Sequence, residues 1–204
     1  MIDLSGNKKL TNKFYNQKTE DVAKKLLGKI FVRNYSNKLL AGKIVETEAY
    51  LSQNDEASHS YGGITNRNRV MFNSSGFLYV YQIYGIHFCC NVVTGKENIG
   101  EAVLLRAIEP IQNIEIMSAN RFGEREASQK QIINLTNGPA KLFEAFFISK
   151  KDNGISLLEN NIYILDSKNI PDSNIIQTTR IGISKSEKLP LRFFIKDNPF
   201  VSKK

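Results

Sequence analysis

Strand-like alternation of apolar and polar positions fills the first half of the chain, and helical periodicity marks its ends. Thr19 to Leu27 reads as the first helix: Thr19 caps it, Glu20 and Asp21 stand in its first turn, and Gly28 stops it. Lys29–Tyr35 and Leu39–Tyr50 read as strands joined by a turn at Ser36-Asn37-Lys38. Leu51 to Asn66 is a polar, Gly-bearing loop, long enough to suggest a functional role. Asn73-Ser74-Ser75-Gly76 is a turn ahead of a strand at Phe77–Ile83. Tyr84-Gly85 reads as a hairpin tip, with Ile86–Val93 as the returning strand. Glu101–Glu109 is a further strand, closed by Pro110, and Ile111–Arg121 is a helix. Pro139, in the first turn after Gly138, opens another that runs to about Ile148. Tyr163–Asp166, Thr178–Ile183 and Leu191–Ile195 are shorter strands. A run of strands with helices at both ends predicts an α+β fold with a mostly antiparallel sheet.

The chain of 204 residues suits a single domain over 1–204, with 1–11 and 202–204 expected as flexible ends. At 41% hydrophobic residues it can bury a core. Its longest apolar run, Phe77 to Tyr81, is far shorter than the ~20 residues of a spanning helix, so no membrane association is expected. The opening Met1 to Gly6 has no apolar stretch of the signal-peptide kind. Cys89 and Cys90 are adjacent and offer no disulfide framework, which fits a reducing cytoplasm. The net charge of +8 is uneven: residues 1–47 carry 10 basic and 4 acidic side chains, residues 48–110 carry 4 and 6, and residues 111–204 carry 14 and 10. Basic flanks around an aromatic-rich middle suit a polyanionic partner, although many proteins of this charge bind no nucleic acid.

Four places could carry chemistry. In a strand alternate residues share a face, so Leu40, Ile44, Glu46, Glu48 and Tyr50 are expected on one side. Two carboxylates on a half-buried face need a partner or a purpose; the plainer alternative is a strand end emerging into solvent. Tyr79 and Tyr81 share a face with Phe77 and Ile83, where a Tyr is more often core than ligand platform. Tyr84, at the tip, has the place of a wedge that enters a base stack. His59 lies in the polar loop; with His87 it is one of two histidines, and no metal-ligating spacing exists. Arg106 is expected to share its face with Leu104 and Ile108 and to need a carboxylate partner, with Glu48 the first suspect. Neither a phosphate-binding loop nor a nucleophile elbow is present. Two other readings stay open: a nucleic-acid module in which Tyr79, Tyr81 and Tyr84 stack on bases without catalysis, and a carbohydrate-type hydrolase using Glu46 and Glu48 as a carboxylate pair.

Several ordered blocks resemble the 3-methyladenine DNA glycosylase family of the alkyladenine (methylpurine) type. They are Lys43 to Tyr50 (KIVETEAY), Asp55 to His59 (DEASH), Asn66 to Arg69 (NRNR), Met71-Phe72, Gly76 to Gly85 (GFLYVYQIYG), Phe88-Cys89, Asn91, Val103 to Pro110 (VLLRAIEP), Asn137 to Lys141 (NGPAK) and Pro190 to Phe193 (PLRF). The resemblance covers roughly residues 12–201. It implies a single compact α+β domain with a curved, mostly antiparallel sheet, flanking helices and a protruding β-hairpin. It implies a monofunctional, monomeric, cytoplasmic and nucleoid-associated repair enzyme acting on double-stranded DNA that contains damaged purines. Such an enzyme flips an alkylated or deaminated purine out of the duplex and hydrolyses the N-glycosidic bond to leave an abasic site, with no metal or other cofactor. By the same resemblance Glu48 is the base that activates water and Arg106 its partner. Tyr50, His59 and Tyr81 sandwich the flipped base, Ala57 joins that pocket, and Asn91 bars normal guanine. Tyr84 is the intercalating wedge, Ile86 lies at the other minor-groove position of the hairpin, and His87 stands where some members have Tyr.

Overall fold

The computed structural model describes residues 6–83 and 85–203. A short helix α1 (Asn12–Tyr15) precedes α2 (Thr19–Leu26). The sheet then begins with β1 (Ile30–Tyr35) and β2 (Lys38–Tyr50), followed by β3 (Leu78–Ile83), β4 (His87–Thr94) and β5 (Glu101–Gln112). Helices α3 (Ile114–Phe122), α4 (Gln129–Asn134) and α5 (Pro139–Ala145) intervene before β6 (Ile162–Leu165), β7 (Ile175–Thr178) and β8 (Arg192–Ile195). The strands form one sheet in the order β3-β4-β5-β2-β1-β6, with β8 pairing both β2 and β7, and every pairing is antiparallel. The α+β class with an antiparallel sheet is therefore observed. Among the described residues no helix is long and apolar enough to cross a membrane.

Local chemistry explains the first hairpin. Ser36 and Asn37 both take positive φ (49° and 62°), the conformation a tight two-residue turn needs to match strand twist. Strand β2 is the spine of the sheet. Its first half, Lys38–Lys43, pairs with β1, and its second half, Glu46–Glu48, pairs with β8, while β5 runs along its other edge. At the crossing with β5, a Cβ on Gly42 would come within 2.3 Å of Ile108 Cγ2 and 2.8 Å of the Glu109 carbonyl oxygen, so only glycine lets the strands approach. The core lies between the sheet and helices α2 and α5, with Phe31 packed edge-on against Phe146 at 5.1 Å.

Several expected features differ. Thr19 is the first residue of α2 and does not cap it; its hydroxyl turns instead to Thr94 (2.9 Å) and Glu101 (2.5 Å). Pro110 does not close β5, which continues to Gln112 because the ladder is already irregular there, with Gly42 facing Pro110 at a register shift. The helix expected from Ile111 begins at Ile114 after the left-handed Asn113, and α5 stops at Ala145 rather than near Ile148. No strand forms over most of the expected Thr178–Ile183: β7 ends at Thr178, and residues 179–183 leave the sheet, where Arg180 bonds the Ala49 carbonyl and the Ile181 amide bonds the Glu48 carboxylate. Helix α4, capped by a Ser128–Gln131 box, was not foreseen. Leu10 and Ser202, placed by the sequence reading in flexible ends, are tied down: the Leu10 amide bonds the Ile164 carbonyl and the Ser202 amide bonds Glu46.

Candidate active site

Two backbone irregularities decide which side chains face the site. Ile44 pairs with Ile108, but the next ladder step pairs Glu46 with Ala107, so Val45 is an extra residue on β2. A second shift follows, Thr47 pairing with Leu105, which makes Arg106 the extra residue on β5. Each extra residue inverts the alternation. Leu40 and Ile44 join Ala49 in the core, and the Thr47 hydroxyl donates to the Ala23 carbonyl of α2. Glu46, Glu48 and Tyr50 point to the opposite side, so the expectation that Leu40 and Ile44 share their face is corrected. Ile108 is likewise in the core, while Arg106 and Leu104 border a cavity, which corrects the expected grouping of Arg106 with Ile108.

Both carboxylates are fully buried, which removes the solvent-facing alternative. Glu46 is saturated. Its Oε1 accepts from Arg192 Nε (2.6 Å), Arg106 Nε (3.1 Å) and the Ser202 hydroxyl (3.0 Å), and its Oε2 accepts from the Ser202 amide (2.7 Å). Glu48 is held more sparingly. Its Oε1 accepts from the Ile181 amide (2.9 Å) and faces Arg106 Nη1 at 3.3 Å; its Oε2 accepts from the Tyr50 hydroxyl (3.0 Å). Burial raises the pKa of Glu48, and the Arg106 guanidinium and the Ile181 and Tyr50 hydrogen bonds only partly oppose this. The Tyr50 hydroxyl is pushed up by burial and by the neighbouring Glu48 charge, so it stays protonated and donates.

A narrow slot of about 20 Å³ lies beside this pair, lined by Tyr50, Ala57, His59, Met71, Tyr81 and Asn91. It shares Tyr50, Ala57, His59 and Tyr81 with a wider cavity of about 290 Å³ that reaches Arg106, Leu104 and Ile181–Ile183. Tyr81 stacks on Tyr79 (5.2 Å, 19°), and His59 packs edge-on against Tyr81 (4.6 Å, 86°). His59 Nδ1 is 3.0 Å from the Tyr79 hydroxyl, and the Asn68 amide group holds the His59 carbonyl at 2.7 Å. Burial, helped by the nearby Arg67, lowers the pKa of His59 to about 4, so the ring is neutral near pH 7. Asn91 Oδ1 is buried without a hydrogen-bond partner, and its residue borders the slot. Such an orphaned acceptor is costly in a core, which marks it as a group aimed at a ligand.

The structure thus brings together Glu48, Arg106, Tyr50, Ala57, His59, Tyr81 and Asn91. Ile86 is elsewhere, 73% exposed beyond the end of β3, and His87 is exposed at the start of β4. Tyr84, expected as the wedge, lies outside the described residues. Met71, which stands out in the sequence only through the Met71-Phe72 block, also lines the slot. The sequence reading missed an entire supporting shell. Arg180, fully buried, makes two bonds to Asp55 (2.6 and 2.7 Å), donates to the Ala49 carbonyl (3.0 Å) and lies over the Tyr50 ring at 4.6 Å. This pair ties the long loop to the segment that carries Ile181. A buried Arg in a polar stretch has no periodic signature, so only its partner, Asp55 in the DEASH block, left a signal.

Comparison with known proteins bears on this arrangement. A sequence model of the family described as Methylpurine-DNA glycosylase (MPG) matches residues 13–199. A protein of Francisella tularensis subsp. tularensis (strain WY96-3418), named "Putative 3-methyladenine DNA glycosylase", is 54% identical over 190 residues, covering 92% of this chain and 95% of that protein. Relatives with the same name from Clostridium novyi (strain NT) and Methanoculleus marisnigri (strain ATCC 35101 / DSM 1498 / JR1) are 48% and 46% identical, over 97% and 94% of this chain and 100% and 97% of theirs.

Proposed function

The chain belongs to the methylpurine-DNA glycosylase family, hydrolases that cleave N-glycosidic bonds in DNA, and from that premise we propose that Glu48 activates the water that displaces a damaged purine held by Tyr50, His59 and Tyr81. The observation that carries this reading is the contrast in how the two buried carboxylates are bonded. Every group that holds Glu48, namely Tyr50, Arg106 and the Ile181 amide, lines the wider cavity, whereas Glu46 is held mainly by Arg192 and Ser202, which do not. That contrast also weighs against a paired Glu46/Glu48 hydrolase.

A base inside the duplex is out of reach of a buried carboxylate, so the nucleotide must be rotated out at a cost of a few kcal/mol. Purines alkylated at N3 or N7 carry positive charge. The faces of Tyr50 and Tyr81 attract such a ring by roughly 0.5–2 kcal/mol, and a neutral His59 adds no repulsion. The same charge makes the purine a good leaving group. As the glycosidic bond breaks, the purine leaves with the electron pair and the sugar becomes oxocarbenium-like; ionised Glu48 faces that charge and takes a proton from the attacking water. The water oxygen bonds to C1′ and an abasic site remains. Desolvation strengthens Glu48 as a base, while Arg106 and the Ile181 and Tyr50 hydrogen bonds favour its ionised form. Asn91, with its orphaned oxygen at the slot, discriminates among purines by what their edge offers it. Tyr84 keeps the role of wedge that the resemblance implies.

The test is release of free base from methylated duplex DNA by the wild type and by Glu48→Gln. Binding without release by the variant supports the reading. Release at the wild-type rate would sink it, and a borohydride-trapped lysine adduct would replace it with a covalent mechanism.

A further inference from the structure

Arg106 is gripped at both edges of its guanidinium. Nη1 reaches Glu48 at 3.3 Å, while Nε is shared between Glu46 Oε1 (3.1 Å) and the Ser202 hydroxyl (3.3 Å). The Ser202 hydroxyl accepts from Arg106 and donates its own proton to Glu46 (3.0 Å), closing a three-membered ring of contacts. The chain end is itself fastened there: the Ser202 amide bonds Glu46 Oε2 (2.7 Å), Arg192 donates to the Lys203 carbonyl, Val201 is buried, and Asn198 bonds Glu109 of β5 at 3.0 Å. Arg192, at 2.6 Å from Glu46, is the nearer of the two cations on that carboxylate. Glu46 can therefore hold Arg106 without monopolising the positive charge that Glu48 needs.

We propose that Ser202 and Glu46 form a clamp that positions Arg106 against Glu48, making the C-terminal end of the chain a working part of the active site. This rests on the reading of Glu48 as the base. A positioning role has a physical rationale in these distances. The Arg106–Glu48 contact is the longest of the three ion pairs in the cluster, and an approach that loose depends on what fixes the other edge of the guanidinium. A buried Glu46–Arg192 pair made for stability alone would have no use for a serine whose hydroxyl touches the catalytic arginine.

The groups facing Glu48 set the sign of the expected pH effect. They are Glu46 and Tyr50 of β2, Arg106 of β5, Tyr81 of β3, Cys89 of β4, and Arg180, which acts through Tyr50. Arg192 of β8 is turned to Glu46. Of these, Arg106 is the main group that lowers the pKa of Glu48, so loosening it raises that pKa.

The experiment measures single-turnover release of base from methylated duplex DNA across pH 4–9 for the full chain and for Ser202→Ala and Ser202→Thr. Ser202→Ala is expected to lower the rate at saturating enzyme by about tenfold, to leave lesion-DNA affinity within about twofold, and to move the acid limb of the rate profile to higher pH. Ser202→Thr, which restores the hydroxyl, is expected to recover rate and limb. A wild-type rate and limb in Ser202→Ala overturns the clamp, as does a slower rate with an unmoved limb that Thr does not rescue. Glu48→Gln, run alongside, separates the two readings. If it abolishes release while Ser202→Ala does nothing, the clamp fails and the base assignment stands; if it releases base normally, the base assignment itself fails.

Discussion

Glu46 and Glu48 project from the same face of one strand, two positions apart, and meet different surroundings: the first is locked by two arginines and a chain end, and the second is held by Tyr50, Arg106 and the Ile181 amide, all of which line a cavity. Identity of residue type and of local geometry therefore does not determine role here. The surroundings do, through which donors reach each carboxylate and whether those donors border the cavity.

Substituting these two residues should move stability in opposite directions. Glu46→Gln leaves the buried Arg192 and the half-buried Arg106 short of a charge and is expected to cost about 3–5 kcal/mol. Glu48 has a folded pKa above its unfolded value of 4.5, so the folded state holds its proton more tightly and stability falls as pH rises through that interval. Glu48→Gln is then expected to raise the melting temperature at pH 7, at about 2–4 °C per kcal/mol recovered, while excision falls by about 10²–10⁴-fold. Thermal unfolding and base release on the same preparations check both.

The Asp55–Arg180 pair should be costly to break on one side. Arg180→Ala strands a fully buried carboxylate, for an expected loss of about 3–5 kcal/mol. It also frees the segment that presents the Ile181 amide to Glu48. Asp55→Leu combined with Arg180→Met should recover much of the stability and little of the excision rate. Urea unfolding together with a single-turnover assay would show whether the two losses separate in this way.

His59 should titrate far below a free imidazole. With a folded pKa of about 4 against an ordinary 6.5, the unfolded chain takes up a proton first as pH falls. Its contribution to stability is therefore present above 6.5 and lost progressively between about 6.5 and 4. The His59 ring resonances followed by NMR should show a midpoint near 4, and the excision rate should carry no His59 step between pH 6 and 8. A midpoint near 6.5 would place the ring in solvent and contradict its packing on Tyr81.

Asn91 should govern which purines enter. Removing its orphaned oxygen in Asn91→Ala frees the slot edge and relieves a buried unsatisfied group, so the fold should be unharmed or stabilised by about 1 kcal/mol. Release of guanine from undamaged duplex DNA should rise relative to wild type, as read by chromatography of the free bases. Unchanged selectivity would show that Asn91 does not read the purine edge.

The residues themselves determined a good deal. Period-two alternation is a local property, so it found β2, β3, β4 and β5 to within a few positions and put Glu46, Glu48 and Tyr50 on one face. The side-by-side blocks from KIVETEAY to VLLRAIEP sufficed to name the family and most of the slot. Tertiary structure alone decided the rest. Whether Ile44 shares that face depends on one extra residue at Val45, which shifts the ladder by a single step and leaves no mark in the alternation. What holds each carboxylate depends on donors such as Ile181, Arg192 and Ser202, which lie more than a hundred positions away along the chain. Their approach is set by how the strands pair and how the ends pack, and neither is written in the pattern around Glu46 or Glu48.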